Sequence, residues 1–134
     1  MKNDKTAYIT ISPGGRVELE VLHEKEDLLR SMQAAVDGWV ETVPDPDRRL
    51  CEMTGTPTTV MLCNEEGLLM DLPRNPMAQA LTGIAPLCGP VAIVQTVRTT
   101  EGDRDLAAFP IAEALRLFRR LKQMAVSAED DAHA

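Results

Sequence analysis

The stretch TAYITISPGGRVELEVL, residues 6–22, decides the architecture. Tyr8, Ile9, Thr10 and Ile11 are β-formers, and Ser12-Pro13-Gly14-Gly15 is a run of turn residues. Beyond the turn, Val17, Leu19 and Val21 alternate with Arg16, Glu18 and Glu20, the period of two of a half-buried strand. Two strands joined by so short a turn pair antiparallel, so a hairpin is predicted over residues 6–22.

Working outward, the period changes at Lys25. Leu28, Leu29, Met32, Ala35 and Val36 fall at the three-and-four spacing of an amphipathic helix, which Asp37-Gly38 ends, with the glycine suited to a left-handed residue. Trp39–Val43 reads as a strand that stops at Pro44. Residues 44–57, rich in Pro, Asp and Gly, read as a long loop. Thr58–Cys63 and Leu68–Met70 flank the turn Asn64-Glu65-Glu66-Gly67 and predict a second hairpin. Asn75 before Pro76 is the N-cap and first position of a short helix that Gly83 closes. Val91–Val97 is the most uniformly apolar segment, hence a central strand. Residues 99–105 read as a polar connection. Phe109–Val126 is a last helix with Ile111, Ala114, Leu115, Phe118, Leu121 and Ala125 on its apolar side, and residues 127–134 are read as a disordered acidic tail. The sum is one α+β domain over 6–126, a mixed or mainly antiparallel sheet of five to six strands. Two to three helices pack on it, and the element order favours placing them on one face.

The length of 134 residues suits a single domain, and 44% hydrophobic content supports one core, built from aliphatic residues because aromatics are 3%. No apolar run reaches the roughly 20 residues a membrane-spanning helix needs. Met1–Lys5 leads into the first strand without an apolar signal region, from which we expect a cytoplasmic protein with no membrane partner. Three cysteines, Cys51, Cys63 and Cys88, give neither a disulfide framework nor a CxxC pair, and His23 and His133 are the only histidines. No metal and no cofactor is therefore expected. The net charge of −7 disfavours general nucleic-acid binding and fits solubility, a basic protein partner or imitation of nucleic acid.

The ordered set Gly38-Trp39-Val40-Glu41-Thr42-Val43, Thr59-Val60-Met61-Leu62-Cys63, Asn64-Glu65-Glu66-Gly67, Leu72-Pro73-x-Asn75-x-x-Ala78 and Gly89-Pro90-Val91-Ala92-Ile93-Val94 resembles the domain-of-unknown-function 3846 family. With the first strand and helix, the resemblance spans residues 6–97; the long 44–57 loop departs from the family pattern. It implies a fold and a habitat, namely small proteins of bacteria, bacteriophages and mobile elements, without an agreed activity.

Chemistry-bearing motifs are few. Walker-type and dinucleotide glycine loops are absent, as is Gly-x-Ser-x-Gly, and no catalytic residue is nominated. Arg74 and Asn75, at a helix N-terminus, either hold a phosphate or carboxylate or simply shape and cap the turn. Trp39 either stacks on a ligand or anchors a partner, or packs in the core. Arg116, Arg119, Arg120 and Gln123 lie within about 100° of one another on the last helix, a basic face for an anion, an acidic partner or a second subunit, or merely a solvated face. Arg48 and Arg49 belong to a loop that either projects as a partner-binding arm or is an unstructured insertion. These readings give three functional expectations: a non-enzymatic phage or mobile-element protein that binds and inhibits a host defence component; an oligomeric protein that sequesters a small phosphorylated or nucleotide signal; and, least favoured, an enzyme.

Overall fold

The structure is a computed structural model that describes residues 5–23 and 27–133, with side chains as far as Ala125. In chain order the elements are β1 Thr6–Ile11, β2 Val17–Leu22, α1 Leu28–Val36, β3 Val40–Val43, α2 Arg49–Thr54, β4 Thr59–Asn64, α3 Pro76–Thr82, β5 Val91–Arg98, β6 Arg104–Ala107, β7 Phe109–Pro110 and α4 Ile111–His133. The strands form one sheet in the order β2-β1-β5-β4-β3, with β6 paired to β5 and β7 to β1. Every pairing is antiparallel. The fold is the α+β class expected from the hairpin at 6–22, whose register runs from Thr6 opposite Leu22 to Ile11 opposite Val17.

β5 is the axis of the molecule. Its edge away from β4 is shared end to end: β1 takes Val91–Ile93 and β6 takes Gln95–Arg98. After β6 the chain steps across to β1 as β7, pairing Ala7 with Phe109. Both faces of the sheet are covered, which explains why Val91–Val94 is apolar without alternation; all four residues are fully buried. Ile9, Ile11, Met61 and Ile93 face α2, α3 and α4. Tyr8, Leu62, Ala92 and Val94 face α1 through Met32 and Val36. The Tyr8 hydroxyl and Ser31 Oγ lie 2.7 Å apart and bind α1 to β1. Expecting every helix on one face was wrong for α1. The inner strands β1, β4 and β5 carry apolar residues toward both sides, so a second layer is needed to keep Tyr8, Leu62 and Val94 dry, at about 1.5–3 kcal/mol for each large side chain.

Local chemistry explains the helix ends. Asp27 caps α1 by accepting from the Leu29 amide, and Asp37 occupies the left-handed position at its end, φ 61°. Gly38 has another reason to be glycine: an added Cβ would stand 2.7 Å from Asn64 Nδ2. The helix predicted from Lys25 is described from Leu28; residues 24–26 lie outside the described part.

Four further expectations change. Residues 44–57 are not an unstructured loop: they contain α2, where the Asp45 carboxylate accepts from the Leu50 and Cys51 amides at 3.2 and 3.4 Å and Leu50 is buried in the core. Leu68–Met70 is not a strand. β4 already has β3 on one edge and β5 on the other, and residues 64–72 instead fold as successive turns, Gly67 N–H to Asn64 O, Met70 N–H to Glu66 O and Leu72 N–H to Gly67 O. The connection 99–105 is shorter than expected because Arg104 begins β6, which closes a hairpin on β5. In α4 the buried residues are Ala114, Leu117 and Leu121, with Phe118 partly buried against them; Leu117, not Leu115, carries the core stripe. The α4 backbone is helical to His133, and the side chains of residues 126–133, most of the expected tail, lie outside the described part.

Candidate functional site

Asn64, the last residue of β4, organises one end of the sheet. Its buried carboxamide donates to the carbonyls of Val36 and Asp37 at 3.1 and 3.0 Å and accepts from the Glu66 amide at 2.8 Å. The Met70 sulfur lies 3.7 Å from the same nitrogen. One side chain therefore joins the end of α1 to the 64–72 turns. Gly38 and Gly67 permit the close approach; a Cβ on Gly67 would stand 2.7 Å from the Cys88 carbonyl oxygen. With Glu65 N–H bonded to Trp39 O at 3.0 Å, Trp39 and the 65–71 turns are held at the same sheet end.

The consequence is an apolar surface. Trp39 is 68% exposed and Leu69 86%, with Leu68 and Met70 also exposed. That exposure excludes a core role for Trp39. Exposed Asp37, Glu41, Glu65, Glu66 and Asp71 are near neighbours of these apolar residues in the chain, and segments 37–43 and 64–71 contain no Lys or Arg. Exposed aromatic and aliphatic side chains thus share these two segments with exposed carboxylates. Leu68, Leu69 and Met70 were missed as site residues because three apolar residues in a row read as strand. A usable signal was their enclosure between the Asn64–Gly67 turn and Asp71, which adopts φ 57°.

Asn75 is fully buried. It caps α3 by accepting from the Ala78 amide at 3.1 Å, and it donates to the carbonyls of Ile11 and Gly89, both at 3.0 Å. All its hydrogen-bonding capacity in that direction is spent inside the fold, so it is an interior cross-link between α3, β1 and the β5 entry. Arg74 beside it is exposed and forms an isolated antiparallel bridge with Cys88 through its backbone. The two residues do not converge on a pocket.

The basic face of α4 divides. Arg116 and Arg120 line a pocket of about 190 Å³ with Thr54, Thr56, Glu113 and Leu117, floored by Phe109. Arg119 is exposed outside it. Arg48 is exposed ahead of α2 in a left-handed conformation, φ 53°. Arg49 packs against the end of α3, its Nη1 3.4 Å from where a Cβ on Gly83 would stand, so this segment is docked rather than projecting.

Among the described residues no cluster of His, Cys, Asp and Glu has the makings of a metal site, and no helix is long and apolar enough to cross a membrane. The three cysteines are free. Burial, and then the Glu41 carboxylate, pushes the Cys63 thiol up; burial followed by Asp45 does the same to Cys51. Neither is activated as a nucleophile.

A family model for a domain of unknown function, DUF3846, matches residues 5–119, and the chain belongs to that family. No curated protein matches the chain, and no solved structure does.

Proposed function

We propose that this DUF3846 protein acts by binding another protein without turnover, through the Trp39 and Leu68–Met70 surface. Its target in this reading is a component of a host defence system that a phage or mobile element needs to block. The observation that carries the proposal is the exposure of Trp39 and Leu69 at one sheet end, on two segments that also carry five exposed carboxylates. Clustered large apolar side chains on the surface of a small domain mark interaction sites, and Trp is over-represented among the residues that dominate binding energy. The carboxylates on the same segments specify the partner's chemistry: an apolar socket accompanied by Lys and Arg, with association accelerated at low salt. The target class and the mobile-element setting come from the family resemblance.

The alternative, sequestration of a small phosphorylated signal, has one observation in its favour. Arg116 and Arg120 share a pocket and have no ion-pair partner within 4 Å among the described residues. Glu113 on the same wall opposes an anion, and about 190 Å³ is below the roughly 300–1,000 Å³ typical of small-molecule sites. The geometry therefore favours the protein-binding reading.

Affinity capture from host extract, followed by native mass spectrometry, tests both. A captured protein that is lost with Trp39→Ser and Leu69→Asp, retained with Arg116→Gln and Arg120→Gln, and weakened by salt supports the proposal. Capture indifferent to the first pair of substitutions sinks it. Nucleotide recovered chemically altered after incubation would refute binding without turnover.

A further inference from the structure

On the sheet face that carries α2, α3 and α4 there is a groove of about 710 Å³. Its walls come from the β1–β2 turn, α2, α3 and the far half of the described part of α4. The lining is predominantly apolar and includes three methionines from three different helices, Met53, Met77 and Met124. The volume falls inside the range of roughly 300–1,000 Å³ that encloses small organic ligands. Methionine side chains are unbranched and polarisable, so a wall made of them adjusts to an elongated apolar guest.

Among the described residues, the charged ones on the lining are Arg16 and Lys122, with no carboxylate beside them. In a chain of net charge −7 this is a local inversion of sign. Arg16 stands at the end of the β1–β2 turn, and Lys122 is on α4 with its Nζ 5.5 Å from the centre of the Phe118 ring. The two cations therefore come from separate elements and meet the same apolar channel.

We propose that this groove binds an amphipathic anion, a ligand with an extended apolar body and a single carboxylate or phosphate head. The body lies between the three methionines, and the head is neutralised by Arg16 and Lys122. This goes beyond the protein-binding reading, because none of these residues belongs to the Trp39 surface, and either can fail without the other.

The test uses the full chain with methyl-labelled methionine and three probes below their micellar limits: dodecanoate, dodecyl phosphate and dodecyltrimethylammonium. Dodecanoate or dodecyl phosphate is expected to shift the methyl resonances of Met53, Met77 and Met124. Met32, buried on the other sheet face, and Met70, on the acidic end, should stay still. Shifts with both anions point to charge-led recognition, and a shift with one alone identifies the head group. Ala80→Trp, on the exposed side of α3 within the groove, should weaken anion binding at least tenfold with an unchanged melting temperature. The pair Arg16→Glu and Lys122→Glu should turn the preference toward dodecyltrimethylammonium. Equal response to the cationic probe in the unmodified protein overturns the proposal, as does movement of Met32 or Met70 in place of the groove methionines. So does the absence of any shift up to the micellar limit.

Discussion

Replacing Asn75 tests whether this residue is an interior cross-link or a ligand contact. Asn75→Ala removes the cap on α3, a loss of about 1 kcal/mol. It also strips two buried carbonyls, those of Ile11 and Gly89, of a donor at 3.0 Å. Orphaned buried polar groups cost about 1–3 kcal/mol each, so the total is about 3–7 kcal/mol. Against a domain stability of about 5–15 kcal/mol the variant folds but is badly weakened. Asn75→Asp separates the contributions. It keeps the acceptor for the Ala78 amide but sets an oxygen where Nδ2 faces two carbonyl oxygens. The introduced carboxyl is buried with two acceptors around it, so its folded-state pKa lies above the unfolded value of about 3.9. A raised carboxyl pKa means that stability is lost as pH rises from the unfolded value toward the folded one, by up to about 1.4 kcal/mol per pH unit. Urea unfolding should therefore show Asn75→Asp closer to the parent protein near pH 4 than at pH 8. If Asn75→Asp equals the parent at pH 8, or Asn75→Ala costs less than about 1 kcal/mol, the cross-link account is refuted and capping alone remains.

In α4, Leu117→Ala should cost about 2–5 kcal/mol by urea denaturation and Leu115→Ala clearly less, because Leu117 lies in the core stripe; equal costs would mean that the helix phase is wrong. Gly67→Ala should lower the melting temperature measurably, since its Cβ meets the Cys88 carbonyl oxygen at 2.7 Å and backbone must move to admit it. Burial, and then neighbouring Glu18, raises the Glu20 carboxyl above its ordinary 4.5, so its charge opposes folding above that pH. Glu20→Gln should then be slightly more stable than the parent at pH 7, with the gain vanishing toward pH 4; a loss at pH 7 contradicts the sign. Trp39→Ser and Leu69→Asp, on exposed positions, should leave the melting temperature nearly unchanged while removing partner binding.

What was legible in the sequence was what a few consecutive residues determine. The 6–22 hairpin needs only alternation and a Pro-Gly-Gly turn, and Asn75-Pro76 announces α3 because cap and first-turn chemistry are local. α2 was not legible, since six residues are too few to hold a helix by propensity, and it depends on the Asp45 carboxylate and on Leu50 reaching the core. β6 was hidden by its composition: Arg104 and Asp105 are exposed, so no apolar period betrays a strand whose existence rests on pairing with β5. The choice between Leu115 and Leu117 had the same difficulty. Both fit a helical stripe beginning at Ala114, and only the position of the sheet beneath α4 selects one.

The candidate surface was less legible than the fold, for a reason of sign. Reading a pattern assigns apolar residues to the interior, so Trp39 and Leu68–Met70 were drawn toward core and strand. Their exposure follows from non-local demands: Asn64 must reach the end of α1, Gly38 and Gly67 must let backbones close, and both edges of β4 are already occupied. Each demand fixes backbone and leaves the apolar side chains outside. The fold stabilises this end through the buried amide of Asn64 rather than by burying Trp39 or Leu69. Their persistence there has no source in stability, since leaving such side chains in water forfeits about 1.5–3 kcal/mol each. A surface that the fold positions but does not use is the physical ground for assigning it to a partner.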